Sequence, residues 1–310
     1  MVIKTSDTQS ISKFMEKIHI PTQDSHKGQN GKVLIIGGSQ LFHAASLWAA
    51  EIATHFNDMV HYASTHENNE IMQQLKSVFR NGIVIPREHI DDYMQEDDAI
   101  LIGPGMVRDE LSHITNEKLL QLAEIVQLPH EAEITYRLTE YLLKTYPDKR
   151  YVLDAGALQM MNPEWLLGLK QKAIVTPHQL EFERLFKINV SEMSIEEKEQ
   201  TVMQMAKKYN CVILLKAIVD IVSDGLDVYR IEGGNQGLTK GGSGDILAGL
   251  TVSLYTQNDP LTAAIVASYV EKHTADVLEE RKGYWYNMSD LIDAIPEIFT
   301  KLHYNRSTNE

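Results

Sequence analysis

Short apolar runs rich in β-branched residues recur along this chain, separated by stretches long enough to form helices. The runs are KVLIIGG (32–38), MVHYAS (59–64), GIVIP (82–86), DAILIGPG (98–105), RYVLDAG (150–156), KAIVTPH (172–178) and CVILLK (211–216). Between them lie segments such as AASLWAAEIATHF (44–56) and IEEKEQTVMQMAKKYN (195–210). Strands that are apolar throughout are buried on both faces, and strands joined through helices run parallel. The alternation predicts an α/β fold with a central, mostly parallel sheet covered by helices on both sides.

The pattern changes after residue 216. In DIVSDGLDVYRIEGG (220–234) two alternating runs flank Asp224-Gly225, a hairpin turn signal. The segments 244–256, 261–280 and 289–303 then read as helices, the last starting at Ser289-Asp290. Nothing marks a linker, so one domain over 1–310 is expected, with 1–25 as an N-terminal extension. The polar helical stretch 108–146 reads equally as covering helices or as an inserted lid.

Composition removes several function classes. A net charge of -14 opposes wrapping of nucleic acid or binding to anionic lipid. No window holds the 18 or so apolar residues of a membrane span, and the first residues carry no leader-like apolar core. The single cysteine, Cys211, lies in an apolar run and reads as a buried strand residue. The expectation is a cytoplasmic protein with neither nucleic-acid nor membrane partners.

In open α/β sheets, ligands gather at the carboxyl ends of the strands. Those ends offer Gly37, Gly38 and Ser39; Gly103, Pro104 and Gly105; Asp154; Thr176, His178 and Glu181; and Lys216. Taken singly, each has an ordinary reading. The glycines make turns, Asp154 caps a helix, His178 and Glu181 cap around Thr176, and Lys216 is a solvated strand end. GLTKGGSGDILAGL (237–250) is different. Glycines ahead of a helix let backbone N–H groups converge on one point, where the helix adds partial positive charge; this is a phosphate cradle. The lysine-serine ending of a P-loop is missing. An acid inside such a cradle repels a bound phosphate. Asp245 therefore makes sense as a base that takes a proton from a hydroxyl attacking phosphorus.

GGSGD resembles the anion-hole motif of the ribokinase-like superfamily. HKGQNGKVLIIGGS (26–39), LIGPG (101–105), VLDAGAL (152–158), VTPHQLEFERL (175–185), VILLKA, GNQGLTKGGSGDILAGL (234–250), HTAD (273–276) and SDLIDAIP (289–296) resemble, in order, segments of the nucleotide-dependent NAD(P)H-hydrate dehydratases. The resemblance implies a ribokinase-like three-layer αβα sandwich. It also implies a repair reaction in which hydrated NADH or NADPH is phosphorylated on its ring hydroxyl by ADP or ATP and loses phosphate. By position, Asp245 is the catalytic base, and Ala45, Gly105 and His178 face the hydrate with it. Lys216, Ala217, Ile218, Val219 and Asp220, with Gly241, Gly242, Ser243 and Gly244, face the nucleotide. Mg²⁺ sits among the phosphates, with Glu181 reaching it through water. A homo-oligomer is expected. The alternative is a kinase of a small alcohol, a vitamin precursor or sugar, in the same superfamily. It draws on the substrate side, where His43 and Gly156 replace the family's usual residues.

Overall fold

The computed structural model describes residues 1–109 and 118–304. Its strands are β1 Val2–Lys4, β2 Lys32–Ile36, β3 Met59–Ala63, β4 Ile83–Ile85, β5 Ala99–Ile102, β6 Arg150–Leu153, β7 Ile174–Val175, β8 Val212–Leu215, β9 Val219–Ser223 and β10 Val228–Glu232. Its α-helices are α1 Ser12–Met15, α2 Ala44–Ala53, α3 His66–Gln74, α4 Ile90–Glu96, α5 Leu122–Ile125, α6 Glu131–Thr145, α7 Ala155–Met160, α8 Gln179–Phe186, α9 Ile195–Lys208, α10 Ser243–Tyr255, α11 Pro260–Lys282 and α12 Met288–Tyr304.

The ten strands form one sheet in the order β1-β10-β9-β8-β7-β6-β5-β2-β3-β4. Every pair is parallel except those made by β9, which runs against both β8 and β10. Strand residues alternate between the two faces. On β2, Val33 and Ile35 join the core beneath α2, α10, α11 and α12, while Leu34 and Ile36 join the core beneath α4, α6, α8 and α9. This two-sided burial is why the strands lack a polar face in the sequence. The three-layer α/β fold is the one expected.

Four details differ from the sequence reading. The first residues do not stand off as an extension. β1 pairs in parallel with β10, and Ile3, Ile11, Phe14 and Met15 are buried. The chain also reverses directly between β8 and β9, at Ala217 and Ile218, a turn with no glycine to announce it. α12 starts at Met288, because Asn287 and Asp290 exchange hydrogen bonds of 3.0 Å and so cap it one residue earlier than expected. Within 108–146, α6 buries Ile134, Leu138 and Leu142 and acts as a covering helix. The lid reading also falls on 110–117, outside the described residues.

The predicted Asp224-Gly225 turn is present. Asp224 Oδ1 accepts from Leu226 N–H and Asp227 N–H at 2.9 Å, and Gly225 has φ +88. Cys211 is a free, buried thiol pushed up to about 12 by burial. Among the described residues, no helix is long and apolar enough to cross a membrane.

Candidate active site

Lys216 is the hub of the strand-end rim. It follows β8, its N–H donates to Pro177 O at 2.8 Å, and it pairs with His178 in one isolated parallel bridge. Its ammonium lies 2.7 Å from Asp154 Oδ1 and 3.9 Å from Glu181 Oε2. Burial opposes that charge, but Asp154, Glu181 and Asp245 outweigh it and hold the ammonium above its ordinary range. Asp154 follows β6, is 1% exposed, and takes a second hydrogen bond from Thr176 Oγ1 at 2.8 Å. It precedes α7 yet makes no capping bond. The ordinary reading of this acid is therefore replaced by an ion pair.

His178, by contrast, is a cap. Its Nδ1 accepts from Leu180 N–H and Glu181 N–H at 3.2 and 3.3 Å, and Glu181 Oε2 accepts from His178 N–H at 2.9 Å. The cap is built on His178 itself, and Thr176 turns to Asp154 instead. Because Nδ1 accepts, the ring proton belongs on Nε2, which stands 3.5 Å from Glu181 Oε1. Burial lowers the imidazole's pKa, so the ring is neutral near pH 7.

α10 brings the opposite wall. Gly242, at φ +110, ends the approach loop, and a side chain there would run into the Trp48 ring. Ser243 Oγ donates back to Leu238 O at 2.7 Å, bracing the loop against the helix. The first N–H groups of α10 have no acceptor within the helix, and the positive end of its dipole lies at this point. A Cβ built on Gly244 would stand 3.3 Å from Lys216 Nζ, so the ammonium and the helix start border one space. A Cβ on Gly241 would meet nothing within 4 Å. Asp245 follows, in the first turn, and its carboxylate makes no hydrogen bond among the described residues. It is not a helix cap. Burial, then the Asp154 charge, raises its pKa to about 7, with Lys216 pulling the other way.

The remaining wall is glycine. Gly105, at φ +72, would press a Cβ to 3.0 Å from Phe42 O, 3.1 Å from Ala45 Cβ and 3.3 Å from Gly38 Cα. Gly38 N–H donates to Pro104 O at 2.7 Å, locking the two glycine loops together. Asn68 anchors them: its amide donates to Ser39 O at 3.0 Å and Ser64 Oγ at 3.1 Å, and its oxygen meets His43 Nδ1. Glycine at 156 is fixed by close packing, since a Cβ there would lie 2.4 Å from Met106 O.

A base of raised pKa, a half-buried lysine and a helix start brought close together suit phosphoryl transfer to a hydroxyl. The family model described as NAD(P)H-hydrate dehydratase matches residues 33–297. The chain belongs to that family. An ADP-dependent (S)-NAD(P)H-hydrate dehydratase of Nitrosopumilus maritimus is 33% identical over 304 residues, 97% of each chain. The bifunctional NAD(P)H-hydrate repair enzyme of Methanocaldococcus jannaschii is 29% identical over 89% of this chain, which spans about half, 49%, of that relative's length. Among solved structures, a ribokinase-like superfamily protein from Enterococcus faecalis matches with TM-score 0.76 at 21% identity, covering 97% of this chain and 96% of that one. An ADP/ATP-dependent NAD(P)H-hydrate dehydratase from Bacillus subtilis, co-crystallised with ATP and Mg²⁺, matches with TM-score 0.74 at 21% identity, covering 97% and 99%. The fold is therefore ribokinase-like.

Within this NAD(P)H-hydrate dehydratase scaffold, the expected site residues separate into groups. Lys216, Gly244 and Asp245 surround one space, with His178 and Glu181 beside it. Gly105 and Ala45 touch each other on the adjoining wall. Ala217 and Ile218 form the β8–β9 turn, where Ile218 is 92% exposed. Val219 opens β9. Asp220 is buried: its oxygens accept from Ala217 N–H at 2.8 Å and Ser268 Oγ at 2.7 Å, and Lys272 Nζ is 3.4 Å away. Its side chain helps to shape the turn. Gln159, which no sequence motif marks, joins the site: its amide donates to Glu181 Oε1 at 3.0 Å and its oxygen accepts from Arg108 at 2.6 Å. Nothing local to that residue signals the link.

Proposed function

We propose that this chain catalyses the nucleotide-dependent dehydration of hydrated NAD(P)H, restoring the nicotinamide cofactor. The observation that carries the reading is Asp245, a carboxylate with a pKa near 7 and no hydrogen bond, set beside Lys216 and the start of α10. A base is most useful when its pKa lies near the working pH. Asp245 takes the proton of the ring hydroxyl, and the freed oxygen attacks the terminal phosphorus of the nucleotide. The bond to the bridging oxygen breaks, and ADP leaves from ATP, or AMP from ADP. Lys216 and the first N–H groups of α10 hold the charge that develops on the transferred group. The C–O bond of the ring phosphate ester then breaks, and a proton leaves the neighbouring carbon. These two losses restore the double bond and release inorganic phosphate, a far better leaving group than hydroxide.

Among the described residues, no cluster of three or more His, Cys, Asp or Glu is set to hold a metal ion. Both Glu181 oxygens already accept protein donors, Gln159 at 3.0 Å and His178 N–H at 2.9 Å. This fits an outer-sphere partner that reaches Mg²⁺ through water, and the ion would neutralise phosphate charge during transfer. A cytoplasmic homo-oligomer belongs to the same proposal; light scattering after gel filtration measures the assembly.

The test is incubation with hydrated NADH and either ADP or ATP, with magnesium. The near-ultraviolet absorbance of the restored ring should rise, one phosphate appearing per ring. A stable phosphorylated product with no absorbance change would establish a kinase instead.

A further inference from the structure

The rim continues past the glycine loops. From the nucleotide end it runs through Lys216 after β8, Asp154 after β6, Gly105 after β5, Gly38 after β2 and Arg87 after β4, following the strand order. Arg87 opens a short 3-10 turn, Arg87–His89. Its only hydrogen bond among the described residues is a long one, from Nη2 to Gly38 O at 3.5 Å. Its Nε is buried and has no hydrogen-bond partner among the described residues. A guanidinium has five N–H donors in a planar fork, and leaving them unmet in a partly buried place is costly. Burial works against its charge, while Glu131, Tyr62 and Glu67 favour it. Glu131 accepts from Gln40 N–H at 3.1 Å and makes no hydrogen bond to the guanidinium among the described residues.

Arg87 also reaches the wall made by the two glycine loops. Gly38, whose carbonyl it touches, comes within 3.3 Å of where a Cβ on Gly105 would stand. If the hydrated ring lies against Gly105 and the phosphoryl donor occupies the Lys216 end, the rim continues from the ring towards β2 and β4, away from the donor. That part of the substrate is anionic. We propose that Arg87 is a specificity-determining residue that binds a phosphate of the dinucleotide substrate through its N–H fork, of which only one long hydrogen bond is used among the described residues. Arginine matches phosphate oxygens in paired geometry, which lysine cannot do. The proposal rests on the dehydratase reading and adds to it the group that grips the substrate's far half.

The experiment compares the wild type with Arg87→Gln and Arg87→Lys on hydrated NADH and hydrated NADPH at saturating ATP. Loss of a charge-assisted hydrogen bond should raise KM for the dinucleotide roughly tenfold to a hundredfold, with a smaller effect on kcat. KM for ATP should move less than KM for the dinucleotide. A rise with both substrates assigns the pyrophosphate, and a rise confined to hydrated NADPH assigns the 2′-phosphate. Arg87→Lys, which keeps the charge without the fork, should fall between the two and guards against a misfolded Gln variant. Calorimetric binding of NADPH needs no turnover, so it separates this proposal from the dehydratase reading. Wild-type protein that binds no NADPH, or an Arg87→Gln variant that binds it within twofold of wild type, overturns the proposal.

Discussion

Asp245 keeps its proton to higher pH than a surface carboxylate does, and this shapes both activity and stability. As a base it works only when ionised. kcat/KM should therefore climb with pH to about 7 and then level, because burial and Asp154 raise the pKa to that value. Asp245→Asn should retain the fold and nucleotide binding but lose about 10²–10⁴-fold in turnover. Survival of most wild-type turnover would remove the base from the mechanism. The sign of the stability effect follows from linkage. In the unfolded chain this carboxyl ionises near 3.8, and in the folded chain near 7. Between these values the unfolded state binds fewer protons, so folding stability falls as pH rises. The Tm advantage of Asp245→Asn over wild type should thus be absent below pH 4, grow up to pH 7 and stay level above it. A difference independent of pH would refute the burial argument. Lys216→Met should cost about 3–5 kcal/mol in chemical denaturation, since it strands the Asp154 carboxylate without its cation. At this scale the sequence is legible where the signal is local. A glycine run ahead of an acid points to Asp245, whereas the Asp154–Lys216 pair and the Arg87–Gly38 approach depend on residues distant in the chain.

α10 is placed by its entry loop, and that placement can be tested at one atom. A Cβ on Gly244 would stand 3.3 Å from Lys216 Nζ. Gly244→Val should therefore fill the space proposed for the nucleotide's phosphates while leaving the helix largely intact. Wild-type protein should gain about 2.7 kcal/mol of apparent stability at ADP or ATP a hundredfold above Kd, and Gly244→Val should show no shift in a thermal melt. An equal shift in both proteins would place the phosphates elsewhere. The long-period elements were readable because strands buried on both faces leave continuous apolar runs. The β8–β9 reversal was not, since Ala217 and Ile218 carry no turn chemistry. The turn is held by Asp220, which accepts from Ala217 N–H, and by Lys272 of α11, which donates to Ala217 O at 3.2 Å and Ile218 O at 3.0 Å. Those partners come from tertiary packing, which no local pattern encodes.

Across the whole molecule, one sheet joins the beginning of the chain to its last third. The polar sequence around β1 hid this, because an edge strand of three residues with a single buried side chain has no periodicity to detect. Ile3 is that side chain and is 0% exposed. Ile3→Ala should cost about 2–5 kcal/mol in urea unfolding, and a change within about 0.5 kcal/mol would mean that β1 is dispensable. The pairing of Val2 with Arg230 also sets an order of events on the ribosome. The nascent chain carries its first strand unpaired until β10 emerges, roughly 10 to 45 s later at ordinary elongation rates. Throughout that interval the strand has no native partner, and β10, once made, shows an open edge until β1 reaches it. Arg230 and Glu232 put charge on that edge, a device that discourages pairing with other chains. Closure of the sheet at this edge is thus bound to follow synthesis of β10, however early β1 is made.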